Sequence, residues 1–492
     1  MKLCYSGCAC KYETEAVMKL FLPAQKFGFA YEEALPREGD FAFFRRRVTG
    51  RHTLLWVIVS YDGGRRRAAS RLSPEADEKE CGEELCRLLY KAMSALTGIT
   101  SEWGVLTGVR PVKQVHRLMA QGLGRDEIAE RLAERYFVSW KKSRLACDTA
   151  AAQKPMLEAL AKRGNTFGLY VSVPFCPTRC SYCSFISQSA QGAAVKKLIP
   201  PYIENLCEEI RRTAGITEAL GMKPDTVYFG GGTPTTFTAA QLTRIMETLA
   251  KCFDLSGVLE YTVEAGRPDT ITEEKLAAIK AHGCDRVSIN PQTLNDDVLR
   301  EIGRAHTTEQ FFESYALAEK VGFRSINCDV IAGLPTDTAE SFARTIDGLT
   351  ALSPGSITVH TLSIKRSARL NSEGDKRAVM RSPAGEMTDL AADKLRVGGY
   401  HPYYMYRQKN MVENLENIGW VRDGHESLYN IYIMEEVQPI IAVGAAASTK
   451  LIDRKGRLER IFGYKYPHDY NEHFDTVLKR KDEIRDFYAE KK

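Results

Sequence analysis

From Gly168 to about Leu362 the chain alternates short β-branched runs with amphipathic helical stretches, and this alternation narrows the fold more than any other feature. Six runs read as strands: "GLYVSV" from Gly168, "DTVYFG" from Asp225, "EYTVEA" from Glu260, "DRVSIN" from Asp285, "SINCDVI" from Ser325 and "SITVHTL" from Ser356. The stretches between them carry helix-end signals. "PPYIENLCEEIRR" begins with prolines, and "TITEEKLAAIKAHGC" opens with a Thr-x-x-Glu capping pattern and closes near Gly283. Strand and helix in repeated alternation build a parallel sheet covered by helices. Six units rather than eight predict an α/β fold organised as a partial (β/α)6 barrel. In such sheets the chemistry gathers at the carboxyl ends of the strands, where loops vary on a rigid scaffold.

The chain has 492 residues, room for about three domains at roughly 150 residues each. Residues 1–165 read as an extension that is α/β and then helical, notably "GRDEIAERLAERYF" from Gly124. Residues 166–375 form the core, and 376–492 a C-terminal, mostly helical domain. Hydrophobic content of 44% and charged content of 27% exclude fibrous and disordered classes, and a net charge of +5 is too mild to name a partner. The longest apolar runs, "TLLWVIVSY" and "PIIAVGAAAS", fall short of the ~20 residues that span a bilayer, so no membrane span is expected. "MKLCYSGCACKYETEAV" lacks the apolar core of a secretory signal, which points to the cytoplasm. Thirteen cysteines in such a chain read as reduced thiols or metal ligands.

"YVSVPFCPTRCSYCSF" places Cys176, Cys180 and Cys183 within eight residues, after a strand and with no fourth cysteine nearby. Three thiolates suit an iron–sulfur cubane with one iron left open to an outside ligand, whereas a fully protein-held cluster uses four. A zinc site would have to borrow its fourth ligand from elsewhere in the chain. "FGGGTPT" (Phe229 to Thr235) ends the second strand, where glycines let the backbone approach a charged ligand. Glu264 ends the third and can accept hydrogen bonds from an ammonium or a ribose.

The Cys-x3-Cys-x2-Cys spacing resembles the signature of the radical S-adenosylmethionine (SAM) superfamily. "YVSVPFC", "GGGTP", "VEAGRPDT", "RVSINPQT", "IGRAHT" and "NCDVIAGLP", in that order, resemble the oxygen-independent coproporphyrinogen III oxidase family. The C-terminal "YYMYRQKNMVENLENIGW" and the N-terminal extension are most similar to its HemZ-type branch, so the likeness covers nearly the whole chain. The resemblance implies one 4Fe-4S cluster on Cys176, Cys180 and Cys183, with SAM chelating the open iron and cleaved to a 5′-deoxyadenosyl radical. It implies SAM contacts from Tyr170, Tyr182, Gly231, Gly232, Thr233, Glu264, Gln292, Arg304 and Asp329. Two propionates of coproporphyrinogen III would become the vinyl groups of protoporphyrinogen IX, in heme biosynthesis, beneath a substrate-capping C-terminal domain. A low-potential donor such as flavodoxin or ferredoxin would supply the electron. The tetra-anionic substrate calls for basic groups, and His360, Lys365, Arg366, Arg407 and Lys409 are the candidates.

Rival readings also have residues behind them. The best-studied branch has a cysteine two residues after the third ligand where this chain has Phe185, a change that resembles heme-delivering members. Those members carry a C-terminal His-Asn-x-x-Tyr-Trp motif, which "RQKNMVENLENIGW" lacks, although His401 and His425 stand nearby in sequence. Arg45 to Arg47 and Arg65 to Arg67 would form a basic patch across a hairpin, as a tRNA-modifying radical enzyme would need, but no RNA-binding module accompanies them. Cys4, Cys8 and Cys10 read as incidental terminal thiols.

Overall fold

The computed structural model describes every residue except 24, 33, 109, 184, 186–187, 364–367, 369, 371–382, 409–410, 454 and 490–492. The chain divides into two units, Met1–Cys147 with Arg407–Leu415, and Asp148–Tyr406 with Glu416–Lys492.

The first unit is built on a five-stranded sheet of β1 (Lys2–Ser6), β2 (Gly28–Tyr31), β3 (Phe41–Val48), β4 (Thr53–Tyr61) and β5 (Gly64–Leu72), in the order β2-β1-β3-β4-β5. Strand alternation sends Leu3, Tyr5, Ala42 and Phe44 to one face. There they pack on Val17 and Met18 of α1 (Lys11–Phe21) and on Leu85 and Leu89 of α2 (Glu78–Thr97). Cys4 points the other way, with Phe41 and Phe43. Asp77 caps α2 by accepting from the Glu80 N–H (2.7 Å), and helices at Val112–Met119 and Arg125–Tyr136 follow. The two arginine clusters do not meet across a hairpin. Arg45 to Arg47 on β3 oppose Trp56 to Leu54, and Arg65 to Arg67 on β5 oppose Ser60 to Ile58, so β4 stands between them and they lie at different levels.

In the second unit all six expected strands form: β6 (Thr166–Val173), β7 (Lys223–Gly231), β8 (Glu260–Glu264), β9 (Arg286–Ser288), β10 (Ser325–Ala332) and β11 (Ser356–Thr361). They pair side by side, in sequence order and all parallel. Val263, Val287, Cys328, Val330, Ile357 and Val359 point outward and are fully buried or nearly so. The opposite positions are polar: Thr262 and Glu264, Arg286 and Ser288, Asn327 and Asp329, Thr358 and His360. Period-2 alternation thus gives the sheet a hydrogen-bonded polar side, with Ser288, Asn327 and Ser356 linked at 2.8 Å.

Five more strands extend this sheet. β13 (Asn417–Val421) adds antiparallel to β11, and β12 (His401–Tyr406) adds antiparallel to β13 at the sheet's edge. β14 (Ile440–Val443) adds parallel to β6, followed by antiparallel β15 (Ser448–Ile452) and β16 (Leu458–Phe462), for eleven strands in all. The boundary expected at residue 375 is therefore not where the units part. The unpaired edges of β6 and β11 need partners, and the C-terminal residues supply them while also contributing a helix at Leu428–Glu435. Buried Glu260 anchors that helix by accepting from the Ser427 hydroxyl (2.9 Å) and from the Leu428 N–H. Among the described residues no helix is long and apolar enough to cross a membrane.

Candidate active site

Most of the residues expected from sequence gather at the carboxyl ends of the parallel strands. β6 ends at Val173, and the segment behind it carries the three thiols, Cys180 at 7% exposure and Cys176 and Cys183 half-buried. They lie close enough to influence one another electrostatically, and burial pushes the Cys183 thiol up to about 11. Phe185 is 66% exposed beyond them.

The glycine run of β7 presses against this loop. The Gly232 N–H donates to the Val173 carbonyl and the Thr233 N–H to the Phe175 carbonyl, both at 2.7 Å. The Thr233 hydroxyl donates to Cys176 Sγ at 3.5 Å. A Cβ on Gly232 would stand 2.5 Å from the Phe175 oxygen, and Gly231 has φ of 106°. The run is thus required for backbone to lie on backbone, a role additional to the ligand access expected from sequence.

Arg267 is absent from the sequence candidates, though it lies in "VEAGRPDT" just past the end of β8. Its Nη1 donates to Cys180 Sγ (3.6 Å), its Nη2 to Thr178 Oγ1 (2.8 Å), and its Nε pairs with Asp269 (3.0 Å). An arginine so soon after a strand-end carboxylate was the available signal. Arg304 Nη1 donates to the Gly266 carbonyl (3.0 Å) and Nη2 to the Tyr182 hydroxyl (3.3 Å), which ties the aromatic residue before the third thiol to the loop after β8. Burial holds the Tyr182 hydroxyl protonated.

Next to these groups the Tyr228 hydroxyl donates to Glu264 (2.6 Å). Burial raises Glu264 from 4.5 to about 7, against the lowering effect of that hydrogen bond. Tyr170 sits in register with Tyr228, rings 6.2 Å apart, and Tyr429 stacks on Tyr228 at 4.3 Å. Gly230 leaves the space where these groups converge: a Cβ there would meet Tyr228, Glu264 and Tyr170 at 3.0 to 3.2 Å. Tyr228 and Gly230 were findable only by counting strand parity from Tyr170.

Gln292 adopts a left-handed φ of 68°, its N–H donating to the Asp329 carbonyl (2.9 Å) and its own carbonyl accepting from the Ile331 N–H (3.0 Å). Asp329 accepts from Asn327 (2.7 Å) and lies 3.5 Å from His360 Nε2. Burial alone would raise its carboxyl, but His360, Asn327 and Thr358 hold it below its ordinary value.

The other substrate candidates separate. Lys365, Arg366 and Lys409 lie outside the described residues. Arg407 is a correction: it belongs to the first unit at 2% exposure, donates to the Leu106 and Asn414 carbonyls, and lies over the Trp103 ring. A guanidinium so occupied is not a propionate ligand. His401 pairs in the sheet at the level of Val421, which is opposite Ser356, and His425 lies against Gly355. Both are thus at the amino ends of the strands, across the sheet's length from the thiols.

The three thiols fit a cluster: two already accept a hydrogen bond from Thr233 or Arg267, as cluster thiolates do, and the third, half-buried Cys183, is a thiol that needs a neighbouring positive charge to ionise. The model of the Radical SAM superfamily matches residues 170–349. The oxygen-independent coproporphyrinogen-III oxidase-like protein HemZ of Bacillus subtilis (strain 168) is 37% identical over 440 residues, 88% of this chain and 87% of that protein. Heme chaperone HemW of the same organism is 31% identical over 48% of this chain and 61% of its own. The structure of coproporphyrinogen III oxidase (HemN) from Escherichia coli, a radical SAM enzyme, superposes with a TM-score of 0.50 at 22% identity over 65% of this chain and 73% of that one. A likeness that runs through both units means that this chain belongs to the oxygen-independent coproporphyrinogen III oxidase family of the radical SAM superfamily, on its HemZ branch.

Proposed function

We propose that the chain is a radical SAM oxidoreductase that converts coproporphyrinogen III to protoporphyrinogen IX without oxygen, in the cytoplasm. The superfamily brings its cofactors, one 4Fe-4S cluster and SAM; together, when bound, they supply the one-electron chemistry that removes hydrogen from an unactivated carbon. Cys176, Cys180 and Cys183 would hold the cluster, with Arg267 and Thr233 tuning it through hydrogen bonds to sulfur. The observation that carries the reading is the polar set beside the thiols. Glu264 is oriented by Tyr228, Asp329 is oriented by Asn327, and Arg304 fixes Tyr182, all at one end of the sheet. Such a set suits a cationic nucleoside bearing an amino acid: Glu264 and Asp329 accept from its ammonium and ribose hydroxyls, and Gly231, Gly232, Thr233 and Gln292 offer backbone groups. Tyr170, Tyr228 and Tyr429 wall the site with aromatic surface and exclude water from it. Half-buried His360, beside Asp329, would meet a propionate, with Lys365, Arg366 and Lys409 as further candidates.

The test is an anaerobic assay with reconstituted cluster, SAM, a low-potential donor such as flavodoxin or ferredoxin, and coproporphyrinogen III, with vinyl product followed by mass spectrometry. Turnover supports the oxidase. Stoichiometric heme binding without turnover would replace it with heme delivery, the role in the name of the HemW relatives; the position of His401 and His425 at the far strand ends speaks against that outcome. Cleavage of SAM only in the presence of tRNA would replace both readings.

A further inference from the structure

The first unit contains a cavity of about 410 Å³ that takes no part in the chemistry above. Four cysteines line it, Cys8 and Cys10 from the segment after β1, and Cys81 and Cys86 from α2, together with Arg46. Two features bring the thiols there. Gly7, at φ 68°, turns the chain back beneath the sheet at a point where any Cβ would strike the Arg46 carbonyl at 2.5 Å. Strand alternation places Arg46 on the same side as Ala42 and Phe44, toward the helices, while Cys4 is sent to the opposite face. The sequence triplet thus splits, and two of its members join a pair far away in the chain.

Cys8 and Cys10, two residues apart, both line the cavity and interact electrostatically. Cys8 is the half-buried member, its Sγ 3.7 Å from the Phe44 carbonyl, and Cys10 is 6% exposed at the head of α1. The side-chain interaction with Cys10, with Arg46 nearby, holds the Cys8 thiol below its ordinary value despite burial, whereas the same interaction and burial push Cys10 far up. One thiol is prepared to ionise and its neighbour to stay protonated, the division of labour that disulfide exchange requires.

We propose that this cavity is a thiol–disulfide exchange site in which Cys8 attacks a small carboxylate-bearing disulfide and Cys10 resolves the product. A volume of this order accommodates a small organic molecule; the wall sets Arg46, Lys79, Arg87 and Arg135 beside Glu13, Glu78 and Glu83, and with Arg87 and Arg135 paired to Glu84 and Glu83, Arg46 and Lys79 are the cations that suit a carboxylate. In the first step the Cys8 thiolate bonds to one sulfur of the disulfide and the other leaves as a thiolate, which takes up the proton Cys8 gave. In the second, Cys10 sulfur attacks Cys8 Sγ, the Cys8–Cys10 bond forms, and the second small thiol leaves with the Cys10 proton. Two electrons pass from the protein dithiol to the disulfide, which is reduced to two thiols.

The experiment treats the purified full chain, kept anaerobic, with glutathione disulfide, quenches with an alkylating agent and maps the cysteines by tandem mass spectrometry. Wild-type chain should lose two hydrogens between Cys8 and Cys10, and Cys8 should react about tenfold faster than half-buried Cys252, whose thiol burial raises. Cys10→Ser should stall with glutathione on Cys8, and Cys8→Ser should leave Cys10 unmodified while keeping the wild-type thermal midpoint. Glutathione persisting on Cys8 of the wild-type chain, or modification confined to other cysteines, overturns the proposal. So does a stoichiometric metal ion that shields the four thiols from alkylation.

Discussion

Gly232→Ala tests whether the glycine run positions the thiol loop. The added methyl carbon would lie 2.5 Å from the Phe175 oxygen, 2.8 Å from the Val173 oxygen and 2.9 Å from the Phe175 carbonyl carbon. All three are backbone atoms, so no side chain can rotate away, and the strand end and the loop must separate. Overpacking of this kind costs ~1–3 kcal/mol. Separation also stretches the two 2.7 Å backbone bonds from Gly232 and Thr233, each worth about 1 kcal/mol. A total near 4 kcal/mol corresponds to a fall of about 6 °C in thermal midpoint for a unit of this size. Because the Thr233 hydroxyl loses Cys176 in the same movement, iron per chain after anaerobic reconstitution should fall as well. Gly215→Ala is the control: nothing lies within 4 Å of the new carbon in the middle of its helix, and alanine there should be neutral or stabilising by up to ~1 kcal/mol. If Gly232→Ala keeps both its midpoint and its iron, the contact between strand and loop is not what positions the thiols.

Other perturbations separate the roles of single groups. Glu264 is neutral at pH 6 and ionised at pH 8, given its value of about 7, so SAM affinity measured by calorimetry should strengthen as pH rises through 7. Tyr228→Phe removes the hydrogen bond that lowers Glu264 and should move that transition to higher pH; an unmoved midpoint would exclude Glu264 as its source. Arg267→Gln deletes the positive donor to Cys180 and should make the cluster's reduction potential more negative in an EPR titration, with Arg267→Lys intermediate. Glu260→Ala strips the Ser427 hydroxyl and the Leu428 N–H of their acceptor and should cost ~3 kcal/mol in denaturant unfolding. Arg407→Ala should lower the thermal midpoint while leaving the KM for coproporphyrinogen III unchanged, since its guanidinium is held by backbone carbonyls.

The six parallel strands were legible because each presents β-branched residues at period 2 between stretches with helical caps, and local pattern suffices for local structure. The thiol loop was legible because its three cysteines sit in one short segment. Arg267 and Tyr228 were not: their partners, Cys180 and Glu264, are 87 and 36 residues away in the chain, and only strand register brings them together. The edge strands escaped for the same reason, since "IIAV" carries no mark of pairing with a strand near residue 170. Arg407 misled because a basic residue between aromatics looks available on paper, while packing commits it to Leu106, Asn414 and Trp103.

The order in which the sheet's strands are synthesised has a cost for the cell. β6 leaves the ribosome well before its outer neighbour β14, which is encoded some 270 residues later, whereas β13, which closes the far side, follows β11 by only about 60. From the synthesis of β7 until that of β14 the nascent sheet therefore displays the outer edge of β6 as a row of unsatisfied amides, a template for association with other nascent chains. A message truncated before residue 440 should yield a product that precipitates rather than a shortened folded chain, because the strand that covers β6 is missing.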